Sequence, residues 1–244
     1  MYLQYVRQAA DMLVETAQKQ TKKADIAAEW ISGCVQKGGI IHVFGCGHSH
    51  MLAEELFYRA GGLACIRPIL VEELMLHKGA VRSSMLERQN GRLAPYIEEL
   101  DIRPEDVLIV VSTSGINPVP VDVALHGQKA GAKTIAITSE AYAKNARSRH
   151  TKKIKLHEAA GLVIDNGAPY GDALFTPEQC PAPFSPVSTV MGAALLNGIM
   201  ASAIEKMMKS GFTPPVFLSG NRPDADEYNQ SLIRQYQKRI PLLS

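Results

Sequence analysis

A short apolar run that ends in three hydroxyl residues and a glycine constrains the fold of this chain more than any other feature. Residues 107–111 read V-L-I-V-V, which is rich in β-branched side chains and too short for a buried helix. The run therefore predicts a strand of a parallel sheet that is covered on both faces. Residues 112–115 (Ser-Thr-Ser-Gly) follow directly, and the spacing of apolar residues beyond Pro118 predicts a helix.

A strand, a hydroxyl-rich turn and a helix N-terminus together suit the binding of an anion. Free backbone N–H groups and the positive end of the helix dipole converge at such a turn. Gly115 can adopt positive φ, and the neighbouring hydroxyls can donate hydrogen bonds to phosphate oxygens. The alternative is that Ser and Thr here only cap the following helix. Both interpretations stand for this turn taken by itself.

A second strand, glycine-rich turn and helix occurs earlier in the chain. Residues 40–44 predict the first strand, and residues 45–50 read G-C-G-H-S-H before a helix with one apolar face. Ser49 is placed to cap that helix and to contact an anion. The third glycine of the dinucleotide fingerprint and the Gly-Lys-Ser/Thr of a P-loop are both absent. The turn therefore predicts an anion site without a nucleotide signature.

The alternation of predicted strands and helices indicates an α/β protein. Further strands are predicted at residues 63–71 and 133–138, with short candidates at 154–156 and 162–164, and a helix over 83–100. This order predicts a three-layer αβα sandwich with a doubly wound, mainly parallel sheet.

The chain is expected to divide into three parts around that sheet. Residues 1–38 predict two N-terminal helices that pack on the core or on a partner subunit, and residues 39–210 form the main domain. Residues 187–208 predict a helix that is apolar on nearly all sides, with 185–186 (Ser-Pro) as its cap and first turn. Such a helix is expected to be buried on both flanks, which favours a homo-oligomer interface. Residues 211–244 are a tail with a predicted polar helix over 224–239, which could lie on a partner subunit.

The charge balance and the cysteines exclude several classes of protein. In 244 residues, 26 Lys and Arg stand against 24 Asp and Glu, so no basic field indicates nucleic acid. The apolar stretches are expected to fall short of a membrane span, and the N-terminus does not resemble a signal peptide. Four scattered cysteines indicate neither a zinc site nor a disulfide framework. We therefore expect a cytoplasmic protein that binds neither membrane nor nucleic acid.

Three motifs resemble the sugar isomerase (SIS) domain. They are G-C-G-H-S at 45–49, V-S-T-S-G at 111–115 and S-P-V-S-T-V-M-G-A-A-L-L-N-G at 185–198, and the resemblance covers roughly residues 1–210. Within the family the chain is most similar to the phosphoheptose isomerase branch, which shares A-E-E-L at 53–56. The tail is also similar to that of a further bacterial branch.

This resemblance implies that the two turns hold a sugar phosphate, without a cofactor, in a homodimer or homotetramer. The implied substrate-binding residues are Ser49, Ser112, Thr113, Ser114 and Asn117. Asn117 stands where the isomerases often have another serine, and an amide can still donate a hydrogen bond.

An aldose–ketose interconversion needs a base that removes a proton next to the carbonyl and a group that moves protons between oxygens. The resemblance implies Glu55 as the base, if one helical turn is deleted after Ser49. Glu55 is also predicted to lie at the edge of the apolar stripe of its helix, whereas Glu54 points further away. The alternative is that both are solvated helix glutamates.

Phosphoheptose isomerases also use a histidine on the last helix, and this chain has none between Val187 and Met208. His48, His50 or His157 are alternative sources of that group. His50 and Glu54 are spaced i, i+4 and could face a metal, but no third ligand is visible, so no metal site is predicted. Two hypotheses therefore remain: a phosphosugar isomerase or related etherase-type lyase, and a phosphosugar-binding protein without chemistry of its own.

Overall fold

A single parallel sheet of five strands forms the centre of the protein. The computed structural model describes residues 1–244. The strands occur in the order β2-β1-β3-β4-β5, and every neighbouring pair is parallel. The strands are β1 (Ile41–Gly45), β2 (Ile66–Ile69), β3 (Val107–Val111), β4 (Lys133–Thr138) and β5 (Leu162–Asp165).

Helices cover both faces of this sheet, so the predicted three-layer αβα fold is confirmed. The helices are α1 (Tyr2–Gln36), α2 (Met51–Leu56), α3 (Ala80–Glu87), α4 (Ala94–Glu98), α5 (Pro118–Lys129), α6 (Glu140–Asn145), α7 (Ser188–Lys209) and α8 (Ala225–Tyr236). Apolar residues of α1, α2, α7 and α8 form one core with the sheet, and those of α3, α4 and α5 form the other.

Strand β3 shows why a short apolar run was the right signal for a central strand. Val107, Ile109 and Val111 point into the first core, whereas Leu108 and Val110 point into the second. All five residues are buried. A strand with helices on both faces must be apolar at every position, because its alternating side chains enter two cores.

The N-terminal segment is one helix rather than the two that the sequence predicts. Helix α1 runs for 35 residues, about 52 Å at 1.5 Å per residue, and packs along α7. The polar stretch 18–25 contains good helix formers and no glycine or proline, so nothing in it ends the helix.

The structure also corrects predictions between β1 and β5. Strand β2 is shorter than predicted and tolerates Pro68 because it is an edge strand. The predicted helix at 83–100 is two helices, α3 and α4, separated by Gly91 with a φ of 68°. Residues 154–156 are not a strand, since Leu156 donates its N–H to the carbonyl of Gly115 at 2.8 Å.

Helix α7 begins at Ser188, after the Ser-Pro pair that was expected to start it. The carboxylate of Asp172 caps it by accepting from the N–H groups of Val187 and Ser188, at 3.1 and 2.8 Å. In the single chain α7 is buried on one flank, and Val190 on the other is 45% exposed, so burial of that flank in an oligomer stays a prediction. By length and composition α7 could cross a membrane, contrary to expectation, although core helices pass the same test. Its buried face packs on α1 and α2.

The C-terminal tail packs on the core of its own chain. Leu232, Ile233 and Tyr236 of α8 join the core that contains α1 and α7. Ile240 and Leu243, beyond the helix, are buried in the same core. The tail therefore completes one face of the sandwich.

Candidate functional site

Two glycine-containing turns meet at the carboxyl edge of the sheet. In chain order they are called the first turn (residues 45–50) and the second turn (residues 112–117). Strands β1 and β3 are neighbours, and Gly45 is paired with Val111, so both strands end side by side. From here the chain leaves β1 toward β2 and leaves β3 toward β4, on opposite sides. Ligands of open α/β sheets bind in the crevice at such a reversal of strand order.

The first turn depends on a glycine at the end of β1. A Cβ atom on Gly45 would lie 2.5 Å from the backbone carbon and oxygen of Ser49, so no other residue fits without a shift. Residues Gly47–His50 then form one 3-10 turn that leads into α2. Ser49 is partly exposed, and its hydroxyl has no hydrogen-bond partner within the protein. That hydroxyl is free to contact a ligand.

The three hydroxyls of the second turn make different contacts. Ser112 is buried, and its Oγ accepts from the N–H of Gly115 at 3.2 Å, which shapes the turn. The Oγ1 of Thr113 accepts from Nδ2 of Asn166 at 3.2 Å. Ser114 is partly exposed, and its hydroxyl has no partner within the protein. Gly115 has a φ of 63°, and a Cβ there would lie 2.6 Å from Oγ1 of Thr138.

Four backbone N–H groups around this turn make no hydrogen bond within the protein. They belong to Thr113, Ser114, Ile116 and Asn117. The following helix adds less than a usual N-terminus, because Pro118 and Pro120 have no N–H. Unpaired amides at the start of a helix are suitable donors for an oxyanion such as phosphate.

Asn117 links the second turn to a guanidinium that the sequence analysis missed. It precedes α5, but its side chain does not cap the helix. Instead its Oδ1 accepts from Nη1 of Arg149 at 2.8 Å, and the N–H of Arg149 donates to the carbonyl of Ile116 at 2.8 Å. Arg149 belongs to residues 146–155, called the strap here, which are far from the turn in sequence. The strap therefore places a positive charge beside the unpaired N–H groups of residues 113, 114, 116 and 117, which with the hydroxyls of Ser49 and Ser114 are called the cradle here.

The strap adds further positive charge next to Arg149. A surface hollow there is lined by Lys144, Arg147, Lys153 and Lys155, with no acidic residue among its lining. A field of one sign attracts ligands of the opposite charge. An anionic ligand would be drawn to this side of the sheet.

Glu87, the last residue of α3, is the other group that sequence analysis missed. Its neighbour Leu86 is buried in the core that also holds Cys46 and Val119, so α3 lies between the first turn and α5. Burial raises the pKa of the Glu87 carboxyl, and the Asn117 side chain and the guanidinium of Arg88 partly offset this. Only the assembled fold brings this carboxyl between the two turns.

Cys46 in the first turn is buried, which makes it a poor candidate for a nucleophile. Burial raises the pKa of its thiol well above the usual range, and the nearby Glu87 carboxylate adds to the effect. Since the thiolate is the reactive form of cysteine, this thiol is inert at neutral pH.

Glu55 lies on the last turn of α2 and is turned toward α7. Its Oε1 accepts from Nδ2 of Asn197 at 2.9 Å and forms an ion pair with Arg59. The carboxylate is thus held by two partners of its own chain. Its role as the base stays a prediction.

The pair of His50 and Glu54 is loosely arranged. Nε2 of His50 is 3.7 Å from Oε2 of Glu54, and Nδ1 of the same ring bonds to the carbonyl of Gly47. No group of three or more His, Cys, Asp or Glu side chains is arranged to hold a metal ion.

A family model matches this chain over the segment that contains both turns. Residues 4–139 match the SIS domain, which is more than half of the chain. The protein therefore belongs to the SIS domain family, as the motifs at residues 45–49 and 111–115 predicted. This membership supports a sugar phosphate as the ligand.

Bacterial relatives match the chain over its whole length. A UPF0309 protein of Halalkalibacterium halodurans is 51% identical over 244 residues, which covers 100% of this chain and 98% of the relative. A UPF0309 protein of Geobacillus thermodenitrificans is 52% identical over 242 residues, with 99% and 96% covered.

A solved structure shares the fold. The phosphoheptose isomerase of Neisseria gonorrhoeae superposes with a TM-score of 0.54 at 14% identity, covering 84% of this chain and 97% of that one. At this identity the likeness concerns the architecture alone.

Proposed function

We propose that this protein binds a phosphorylated sugar in the crevice between the two turns and interconverts its aldose and ketose forms. The observation that carries the proposal is the convergence of unpaired donors at the reversal of strand order. These are the N–H groups of Thr113, Ser114, Ile116 and Asn117 and the hydroxyls of Ser49 and Ser114. The SIS domain match supports the same ligand class.

The phosphate is proposed to lie on the second turn. Its oxygens would accept from the unpaired amides and from Ser114, and the guanidinium of Arg149 would neutralise part of the charge. The sugar would then extend toward Ser49 in the neighbouring turn. Donors that are fixed before the ligand arrives cost little ordering entropy on binding.

The isomerisation would proceed through an enediol. A base removes the proton from the carbon next to the carbonyl and then returns it to the former carbonyl carbon, as the neighbouring hydroxyl becomes the new carbonyl. Glu55 is the proposed base, and it must release Arg59 or Asn197 to accept a proton.

A phosphosugar-binding protein without catalysis is the second candidate function. This function is favoured because the carboxylate of Glu55 is already bound to Asn197 and Arg59, and because α7 carries no histidine. The two candidates share the cradle and differ only in the chemistry beside it.

A homodimer or homotetramer also stays a proposal. Apolar side chains of α1 and α7 remain exposed in the single chain, among them Tyr2 at 79%, Leu3 at 61% and Val190 at 45%. A second copy of the chain would bury them. Sedimentation equilibrium would test this directly, and a monomer at micromolar concentration would contradict it.

The first experiment is a thermal-shift screen followed by calorimetry with purified protein. The panel consists of hexose, amino-hexose, N-acetylhexosamine and heptose phosphates, each with its unphosphorylated parent. A ligand that binds the native state raises the Tm by mass action. We expect a shift with at least one sugar phosphate and none with its parent, whereas no shift across the panel would overturn the cradle assignment.

Ligands from the screen are then tested for turnover. Conversion between the aldose and ketose forms would establish the isomerase, and loss of turnover in Glu55→Gln with binding retained would establish the base. Binding without any conversion would favour the second candidate function.

A further inference from the structure

The proposed reaction needs two acid–base groups, and Glu55 supplies only one of them. After the base has taken the carbon-bound proton, a second group must give a proton to the carbonyl oxygen and take one from the neighbouring hydroxyl. Helix α7 carries no histidine that could do this. We propose that Glu87 is this second group, an inference that rests on the proposed function.

The position of Glu87 is fixed from three sides. Ser83, one turn earlier on α3, is buried and donates from Oγ to the carbonyl of Leu74 at 2.6 Å. Leu86 is buried in the same core as Cys46, and α3 contacts the first turn. At the end of the helix, Nδ2 of Asn90 donates to the carbonyl of Arg149 at 3.1 Å. Helix α3 therefore packs against the first turn and against α5, which follows the second turn, and Glu87 is its last residue.

Asn117 makes the link between Glu87 and the cradle. The amide of Asn117 has its oxygen bound by Arg149, so its NH₂ group is the part that remains for the carboxyl of Glu87. The backbone N–H of the same residue is one of the unpaired donors of the proposed phosphate site. A sugar phosphate bound there would lie next to the Glu87 carboxyl, which is only partly buried.

The charges around Glu87 suit a group that both donates and accepts protons. Burial favours its neutral form, while Asn117, Arg88 and Arg149 favour its ionised form, and the net effect is a raised pKa. Other charged groups nearby are already paired: Asp122 of α5 with His150 at 2.9 Å, and Glu73 before α3 with Arg82 at 3.1 Å. His48 and His50 belong to the first turn, and the Cys46 thiol is neutral.

The proton transfers balance as follows. Glu55 takes the proton from C2 while the protonated Glu87 gives its proton to the carbonyl oxygen O1, which leaves a C1=C2 enediol. Glu87 then takes the proton of the O2 hydroxyl as the C2=O2 bond forms, and Glu55 returns its proton to C1. Both carboxyls end in their starting states, and no oxidant or metal is needed.

The test compares Glu87→Gln with Glu98→Gln, an exposed glutamate of the neighbouring helix α4. With a sugar phosphate from the panel, we expect Glu87→Gln to lower kcat by about 100-fold or more while Kd changes less than threefold. Glu98→Gln should match the unmodified protein in both. Unchanged kcat in Glu87→Gln would overturn the inference while the isomerase stands.

The pH profile separates a proton-transfer role from a structural one. A group that must be protonated at the start makes kcat fall as pH rises through its pKa. In Glu87→Gln this fall of kcat at high pH should disappear. In Glu87→Asp part of kcat should be recovered, and the fall at high pH should return. A variant that is slow only because it is misfolded would instead show a lowered Tm and an unchanged limb.

A titration without turnover tests the contact itself. The ¹³C NMR signal of the Glu87 carboxyl is assigned as the one that disappears in Glu87→Gln. Its pKa is then measured with and without inorganic phosphate. Phosphate bound at Asn117 should raise the Glu87 pKa further, because a nearby negative charge disfavours ionisation. No change at saturating phosphate would overturn the inference, whereas a failure of phosphate and every sugar phosphate to bind would overturn the proposed function. Binding without turnover would end the catalytic role of Glu87 and leave the binding site in place.

Discussion

Arg239 holds both carboxylate oxygens of Asp106, with its Nη1 at 2.9 Å from Oδ1 and its Nη2 at 2.8 Å from Oδ2. Asp106 is fully buried at the entrance to β3 and also accepts from the N–H groups of Ile40 and Arg103. Arg239, near the C-terminus, therefore neutralises the buried charge of Asp106 at the amino end of β3. This pair anchors the tail to the core of its own chain.

Arg239→Met is expected to lower the free energy of unfolding by about 3 kcal/mol, since removing one partner leaves a buried charge unpaired. Urea denaturation at neutral pH measures this. Arg234→Met on the exposed side of α8 is the matched control and should change the free energy of unfolding by less than about 0.5 kcal/mol. Equal stability of the two variants would contradict the prediction.

Acid is expected to destabilise the protein through the same network. Burial alone would raise the pKa of Asp106, but hydrogen bonds from His42, Arg239 and two backbone amides outweigh it and hold the pKa far below the usual range. A depressed carboxyl pKa stabilises the fold above the unfolded value of about 4, and this stability is lost as pH falls below it. Burial also lowers the pKa of His42, so stability should begin to decline below about pH 6.5.

The measurement is the urea midpoint from neutral pH down to about pH 3. The unmodified protein should lose stability gradually at first and steeply below about pH 4. Arg239→Met should show a flatter acid limb, because part of the pKa depression of Asp106 is gone. Parallel acid limbs in the two proteins would show that Asp106 is not the titrating group.

Ser112 and Ser114 are expected to respond differently to the same substitution. Ser112→Ala removes the acceptor for the N–H of Gly115 and should cost about 1–2 kcal/mol of stability. Ser114→Ala removes no hydrogen bond within the protein and should leave the Tm unchanged. It should instead weaken sugar phosphate binding by about tenfold, which corresponds to one lost hydrogen bond to a charged group. Calorimetry checks this, and unchanged affinity in Ser114→Ala would remove that hydroxyl from the site.

Local sequence signals predicted the parts of this fold whose physics is local. The strand at 107–111 and the helix after Pro118 follow from an apolar run and from residue spacing, which need no knowledge of the rest of the chain. The turn at Gly45 is local in the same sense, because a Cβ there would meet the backbone of Ser49 in the same turn. Gly115 is required both by its positive φ and by Thr138 on the neighbouring strand β4.

Most of the missed features depend on contacts between distant segments. Helix α1 is the exception in part: its polar middle contains no residue that ends a helix, and packing along α7 then stabilises its whole length. Glu87 and Arg149 reach the cradle only when α3 and the strap are packed against α5, so no motif marks them. The packing of the tail on its own core was also missed, because the buried residues of α8 are few among polar neighbours: Ala225, Leu232, Ile233 and Tyr236.

Gly45→Ala is expected to disrupt the first turn while leaving the sheet folded. The added methyl would overlap the backbone of Ser49, so the 3-10 turn at residues 47–50 must move away from β1. Sugar phosphate affinity should fall because the Ser49 hydroxyl is displaced. Gly33→Ala, where a Cβ meets nothing within 4 Å, is the matched control and should bind normally. Normal binding by Gly45→Ala would mean that the first turn does not contact the ligand.

Arg149→Met is expected to weaken sugar phosphate binding by about tenfold, because it removes the guanidinium beside the unpaired amides of the second turn. Arg147→Met removes the same charge from the same strap but lines the outer hollow instead, so it should change affinity much less at physiological salt. Calorimetry at two salt concentrations separates the two effects. A long-range effect of the strap would be screened by salt in both variants, whereas a direct contact of Arg149 keeps its effect at high salt. Equal losses in the two variants would show that the strap acts only through its overall charge, and Arg149 would then have no contact with the phosphate.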